Sequence, residues 1–307
     1  MTFTARGLYA SSSKEPRGRR GRWWLVIGAI VGLAALGTGV LGILTTAVSE
    51  TTTDTTEFPA PSRLEIDNNT EGSVTLVAED TDTVTVRVDV WSSMMSQPSW
   101  DTETEGDTLR LAANCSLIFT VFGRCSVDYE VAVPEGTEVS VHTVTGDVDV
   151  TGVSARVDAS TDTGEIRLAD VTGEITAESA TGRITAAGSG PSAVVTSDTG
   201  EINLEDFQAA DVQATSAIGA IRIGSGFDTA RVRSDTGAIT VTTDTEFQTL
   251  HATTAIGNIE LQVPDRVYRV TADTTVGSPK VAVDQSRDAT SVIEARSDTG
   301  DITITPR

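Results

Sequence analysis

The sequence predicts an all-β protein: a β-solenoid, or β-helix-like, repeat domain of about 18–20 residues per coil, preceded by one N-terminal transmembrane helix. Three observations carry this. Glycines recur at 146, 164, 173, 182, 200, 219, 237, 257, 277 and 300, in steps of 18, 9, 9, 18, 19, 18, 20, 20 and 23. Nine residues make one strand plus one turn, and about twice that makes one coil. Two and four residues after these glycines stand Ile166/Leu168, Ile202/Leu204, Ile221/Ile223, Ile239/Val241, Ile259/Leu261 and Ile302/Ile304. Alternate residues of a strand share a face, so these pairs stack as two aliphatic ladders. Finally, residues 23–48 carry no charge and are long enough to cross a bilayer as one helix.

In chain order, residues 1–22 form a basic tail with six Lys/Arg and one acid, a net of +5 within a chain of formal charge −22. The positive-inside rule then places the N-terminus in the cytoplasm and the acidic body outside, as a single-pass protein of the cell membrane. A cleaved signal peptide is the competing reading, but its apolar core is usually shorter, roughly 7–15 residues. Gly28, Gly32, Ala35, Gly39 and Gly42 line one face of the 23–48 helix, a stripe that suits helix association and a homo-oligomer through the membrane. Residues 49–61, rich in Thr and ending near two prolines, read as a stalk. An acidic surface of this strength repels nucleic acid, so no such partner is expected.

Residues 62–141 alternate as strands, and they hold the only two cysteines, Cys115 and Cys125. In an exported chain this pair is a disulfide candidate, stapling a hairpin turned at Phe122-Gly123-Arg124. Asn68-Asn69-Thr70 and Asn114-Cys115-Ser116 are glycosylation sequons. Residues 142–307 are the solenoid repeats.

Within the repeats, the slot three before the glycine is purely Ser or Thr: Thr161, Ser197, Ser216, Ser234, Thr254, Thr274 and Ser297. Facing inward, these hydroxyls must bond along the stack or to the turn backbone, because an unpaired buried hydroxyl is costly. The next slot reads Asp162, Asp198, Ala217, Asp235, Ala255, Thr275 and Asp298, so Asp-Thr-Gly words alternate with Ala-Ile-Gly. Stacked carboxylates at the ~4.8 Å strand spacing repel by roughly 1 kcal/mol in water, and alternation about doubles their separation. Asp-Thr-Gly is also the loop of aspartic proteases, but that chemistry needs two loops face to face on apolar strands, not a column. A calcium reading takes Asp198, Asp235 and Asp298 as oxygen ligands, although the Gly-Gly-x-Gly-x-Asp word of calcium-binding β-rolls is missing.

Other chemistry is sparse. His142 and His251 are far apart in sequence, no nucleophilic triad or phosphate loop stands out, and no cofactor is expected. Phe207, Phe227, Phe247 and Tyr268 recur at steps of 20, 20 and 21. One aromatic per coil packs a solenoid corner; exposed instead, the column would stack sugars, as a polysaccharide-active β-helix enzyme requires.

The word Val131-Ala132-Val133-Pro134-Glu135-Gly136, followed by repeats such as Thr199-Gly200-Glu201-Ile202-Asn203-Leu204, resembles a β-strand-repeat "putative adhesin" family of bacteria and archaea whose function is unknown. The resemblance covers roughly residues 62–307 and implies an exported β-solenoid-like domain; it supplies no catalytic residues. The function expected is a noncatalytic, adhesion-like or envelope-structural role with a cell-envelope polymer or surface protein as partner. A polysaccharide-active enzyme and a membrane sensor signalling through helix association are the alternatives.

Overall fold

In the computed structural model, which describes residues 50–92, 96–117 and 125–307, every regular element is a strand. The 23–48 segment, its small-residue face and the turn at 122–124 lie outside the described residues, and no helix among those described is long and apolar enough to cross a membrane. The core is built by the aliphatic ladders. Ile166, Ile184, Ile202, Ile221, Ile239, Ile259 and Ile302 form one continuous row, each paired in parallel with the next. All are 0–1% exposed, and such burial contributes roughly 1.5–3 kcal/mol per side chain. β-Branched side chains suit this because their stiff rotamers pack well on a pleated surface.

Coil order in space departs from coil order in sequence at both ends. The backbone N–H of Gly237 donates to Ile256 O and that of Gly257 to Thr299 O, while Gly300 N–H donates to Val276 O, each at 2.9 Å. The last coil, Val292–Thr299 with Ile302–Pro306, is therefore inserted between the Gly257 coil and the Gly277 coil. The reason lies in the Gly277 coil's own side chains. Where other coils present isoleucine or valine two residues after the glycine, this one presents Pro279, which cannot donate to a ladder and belongs on an edge strand. At the other end, Arg63–Asn69 lies between Glu138–Thr145 and Thr108–Leu117, so the first coil is second in the stack.

That N-terminal end is covered by antiparallel strands. Thr83–Ser92 pairs with Ser126–Pro134, Glu50–Pro59 pairs outside Thr83–Ser92, and Ser96–Glu105 pairs with Thr108–Leu117. Most of the segment expected as a stalk is thus a strand, with Phe58 packed against the core. No architectural break falls at residue 142, because Arg63–Asn69 and Val74–Glu79 stack directly on Glu138–Thr145 and Val148–Thr151. Cys115 and Cys125 are joined, Cα–Cα 6.1 Å, within the outermost coil. The sequon at Asn68 is corrected by burial: its side chain is 0% exposed and donates Nδ2 to Gly72 O (3.0 Å) and Val127 O (2.8 Å), leaving no amide free for a sugar.

Candidate functional site

The repeated turns line up as one row along the stack. Its inner side is polar but satisfied. Thr161 Oγ1 donates to Gly146 O (3.1 Å), Ser234 Oγ to Gly219 O (3.1 Å), Thr254 Oγ1 to Gly237 O (3.0 Å), Ser297 Oγ to Gly257 O (3.0 Å) and Thr274 Oγ1 to Gly300 O (2.9 Å). Each hydroxyl reaches the turn carbonyl of the neighbouring coil, so the Ser/Thr column ties coil to coil. The last two bonds follow spatial rather than sequence order. Asn68 holds the same rung in the first coil, opposite Thr143. Ser197 is the exception: its buried Oγ has no partner among the described residues.

The outer side of the row is where the Asp-Thr-Gly words stand. In spatial order, the slot two before the glycine reads Asp162, Ala180, Asp198, Ala217, Asp235, Ala255, Asp298, Thr275. Inserting the last coil makes the alternation complete, since Asp298 now stands two coils from Asp235. Neighbouring carboxylates are thereby about 10 Å apart, twice the strand spacing. The slot beside it reads Thr163, Thr181, Thr199, Ile218, Thr236, Ile256, Thr299, Val276, each paired with the next. Ile218, Ile256 and Val276 are 57%, 57% and 62% exposed, among the most exposed large hydrophobic side chains of the described chain. The row is thus an acidic ridge with an apolar side chain on every second coil over its C-terminal half.

The calcium candidates Asp198, Asp235 and Asp298 do not converge, being held on alternate coils, and Asp235 is engaged by Arg233 at 3.0 Å. Among the described residues, no three His, Cys, Asp or Glu side chains are grouped to hold a metal ion. The acids that follow the turn glycines are committed too. Glu201 pairs with Arg222 and, at 3.8 Å, with Arg183, and Asp301 Oδ1 accepts from Ser278 N–H at 2.9 Å.

The model of the Toastrack DUF4097 family matches residues 62–305, the stack from its first described coil to its last. The chain belongs to this family. Among solved structures, this Toastrack chain is similar to a "putative adhesin" from Bacteroides fragilis NCTC 9343 at 12% identity, over 83% of this chain and 97% of that one, with a TM-score of 0.44. It is similar also to a "putative adhesin" from Parabacteroides merdae ATCC 43184 at 10% identity, over 82% and 96% of the two chains, with a TM-score of 0.45. No functionally curated protein matches the sequence.

Shallow grooves lie along the Toastrack stack. One, of about 320 Å³, is lined by His142, Asp162, Glu178 and Asp198, with His142 Nδ1 2.9 Å from Ser160 Oγ. Another, of about 410 Å³, holds Glu205, Asp206, Asp244 and Arg307. There the Ser225 hydroxyl donates to Asp244 at 2.7 Å and holds its carboxyl below the usual range. His251 lies away from His142, 3.1 Å from Glu294 Oε2. The aromatic column is interior. Phe207, Phe227, Phe247 and Tyr268 are 2–4% exposed, Phe227 and Phe247 lie 5.3 Å apart, and Tyr268 Oη donates to Pro264 O at 2.9 Å. A sugar-stacking ladder is therefore ruled out for these four side chains; they pack the corner. Sequence reasoning passed over the exposed isoleucines, although their signal was present: an apolar residue beside a turn glycine, on every second coil.

Proposed function

We propose that this protein is a membrane-anchored, extracellular, noncatalytic surface-interaction protein that engages a repetitive partner, a cell-envelope polymer or an ordered surface-protein array, through its turn row. The observation that carries the reading is the exposed Ile218–Ile256–Val276 stripe on alternate coils. Exposed apolar groups set out in a row mark contact surfaces more often than isolated ones do. A spacing of about 10 Å per apolar step presents the same contact again and again, so weak individual contacts multiply along a partner of matching period. The alternating carboxylates supply polar flanks and keep two such rows from adhering indiscriminately. Anchoring rests on the uncharged 23–48 segment and the basic residues before it.

The test is co-sedimentation of the full chain with isolated cell-wall and surface-layer material. Wild type binds, and Ile218→Thr/Ile256→Thr, which installs the residue that the alternate coils already carry at this slot, keeps the melting temperature but binds at least about tenfold more weakly. Absence of wild-type binding, or binding indifferent to the double variant, overturns the proposal.

A further inference from the structure

The turn row has a period and a polarity that narrow the chemistry of its partner. Across five neighbouring coils its outer slot reads Ile218, Thr236, Ile256, Thr299, Val276. The three apolar side chains are more than half exposed, and Thr236 and Thr299 between them are exposed as well. From one apolar side chain to the next is two strand spacings, about 10 Å. In the adjoining slot, Asp235 and Asp298 stand on the threonine coils, and Ala217 and Ala255 on the isoleucine coils. Hydrogen-bonding coils and apolar coils therefore alternate one by one. Towards the N-terminus the row continues past Asp198 and Asp162, which with Glu178 line the groove of about 320 Å³. None of these three carboxylates pairs with an Arg or Lys among the described residues, so their oxygens are open to hydroxyl donors.

We infer, resting on the surface-interaction reading, that the envelope polymer is an uncharged β-1,4-linked polysaccharide lying along the turn row, one pyranose ring per coil. Charge sets the first limit. A row with a carboxylate on every second coil, in a chain of formal charge −22, repels a polymer that carries phosphates or carboxylates. A chain of neutral rings meets no such barrier, and its hydroxyls find strong acceptors in the carboxylates. Period sets the second. In a β-1,4 linkage each ring is turned over relative to the one before, so the extended chain is straight and repeats every second ring. That disaccharide repeat is close to two strand spacings. Every second ring then presents the same face, the one with three axial C–H bonds, to Ile218, Ile256 and Val276, and apolar area is buried on both sides. The rings between them meet Thr236 with Asp235 and Thr299 with Asp298, which bond ring hydroxyls. Chains linked α-1,4 or β-1,3 curl, and fall out of step within a few coils. An array of folded proteins repeats at the width of a domain, several times the step of this row, and leaves most steps unused. Aliphatic side chains hold each ring weakly, so affinity grows with the number of rings engaged together.

The test is isothermal titration calorimetry of the full chain, in a detergent without a sugar headgroup. The probes are β-1,4-linked oligosaccharides of two to six rings, one series built of glucose and the other of N-acetylglucosamine. In at least one series the five-ring oligomer binds at least about tenfold more tightly than the two-ring one, and the series that binds identifies the ring substituent. A β-1,3-linked glucose pentamer binds at least about tenfold more weakly than the β-1,4-linked pentamer that binds best. Thr236→Ile/Thr299→Ile adds exposed apolar area but erases the alternation. It keeps the melting temperature and weakens pentamer binding at least about tenfold; tighter or unchanged binding would reveal unspecific adhesion and overturn the inference. Silence in both series, no gain from two rings to five, or equal affinity for the β-1,3 chain overturns it too. Co-sedimentation with envelope material keeps the two readings apart. Material that binds through Ile218 and Ile256 while every oligosaccharide fails rejects the glycan and leaves the turn-row reading standing, with a surface protein as its partner.

Discussion

At Gly219 the limiting quantity is space. A Cβ built there would lie 1.8 Å from Gly200 O and 3.0 Å from Ser216 Oγ, and its φ is outside the left-handed range. The turn glycines are thus required where the backbones of successive coils approach, and a positive φ is secondary. The same closeness lets the Ser/Thr hydroxyls, Ser197 excepted, reach a neighbouring coil's turn carbonyl. Gly219→Ala is expected to cost roughly 1–3 kcal/mol, as overpacking does. Gly136→Ala, where an added Cβ meets nothing within 4 Å, is expected to be near neutral. Urea denaturation of both variants checks the contrast; equal losses would show that glycine serves backbone conformation at both sites.

Among the elements, the turn row follows an electrostatic rule that the sequence order only partly displays. Read along the chain, Thr275 interrupts the Asp/Ala alternation before Asp298; read along the stack, Asp298 takes the next alternate place and Thr275 ends the row. Ala217→Asp would create three consecutive carboxylates with Asp198 and Asp235 at strand spacing. A loss of about 1–2 kcal/mol is expected at low ionic strength, shrinking in molar salt as the repulsion is screened. Thermal melts of wild type and variant across a salt series measure it, and a salt-independent loss would point to steric crowding instead. The exposed arginines reinforce the same design without deciding it. Arg156 bonds Asp158 at 3.1 Å and reaches Glu174 on the next coil at 3.5 Å, an exposed pairing worth little by itself.

For the molecule as a whole, interleaved ends change which segment is central. Stacked in sequence order, residues 267–281 would be interior and the last coil would be the frayed end. In the structure the last coil has neighbours on both sides, while 267–281 is outermost. Native-state hydrogen exchange at low protein concentration is expected to find the amides of Ile293, Ala295 and Ile304 protected up to the global unfolding free energy, and those of Val270, Ala272 and Thr274 exchanging far faster. The reverse order of protection would restore the sequence-ordered stack.

The sequence by itself determined the strands, the turn slot, the inward aliphatic pairs and the inward hydroxyl column, because each is a local periodicity imposed on one coil by its own backbone. It also held, unread, the sign that the Gly277 coil is terminal: Pro279 stands in a ladder slot that a central strand cannot give to proline. Only the tertiary structure decided which coil lies on which. Every coil offers its neighbour the same isoleucines, hydroxyls and glycine carbonyls, so the repeat pattern fits any stacking order. The choice fell to the differences between coils: the poor inner face of residues 270–281, the spacing of the carboxylates and the strands that cover one end but leave the other open.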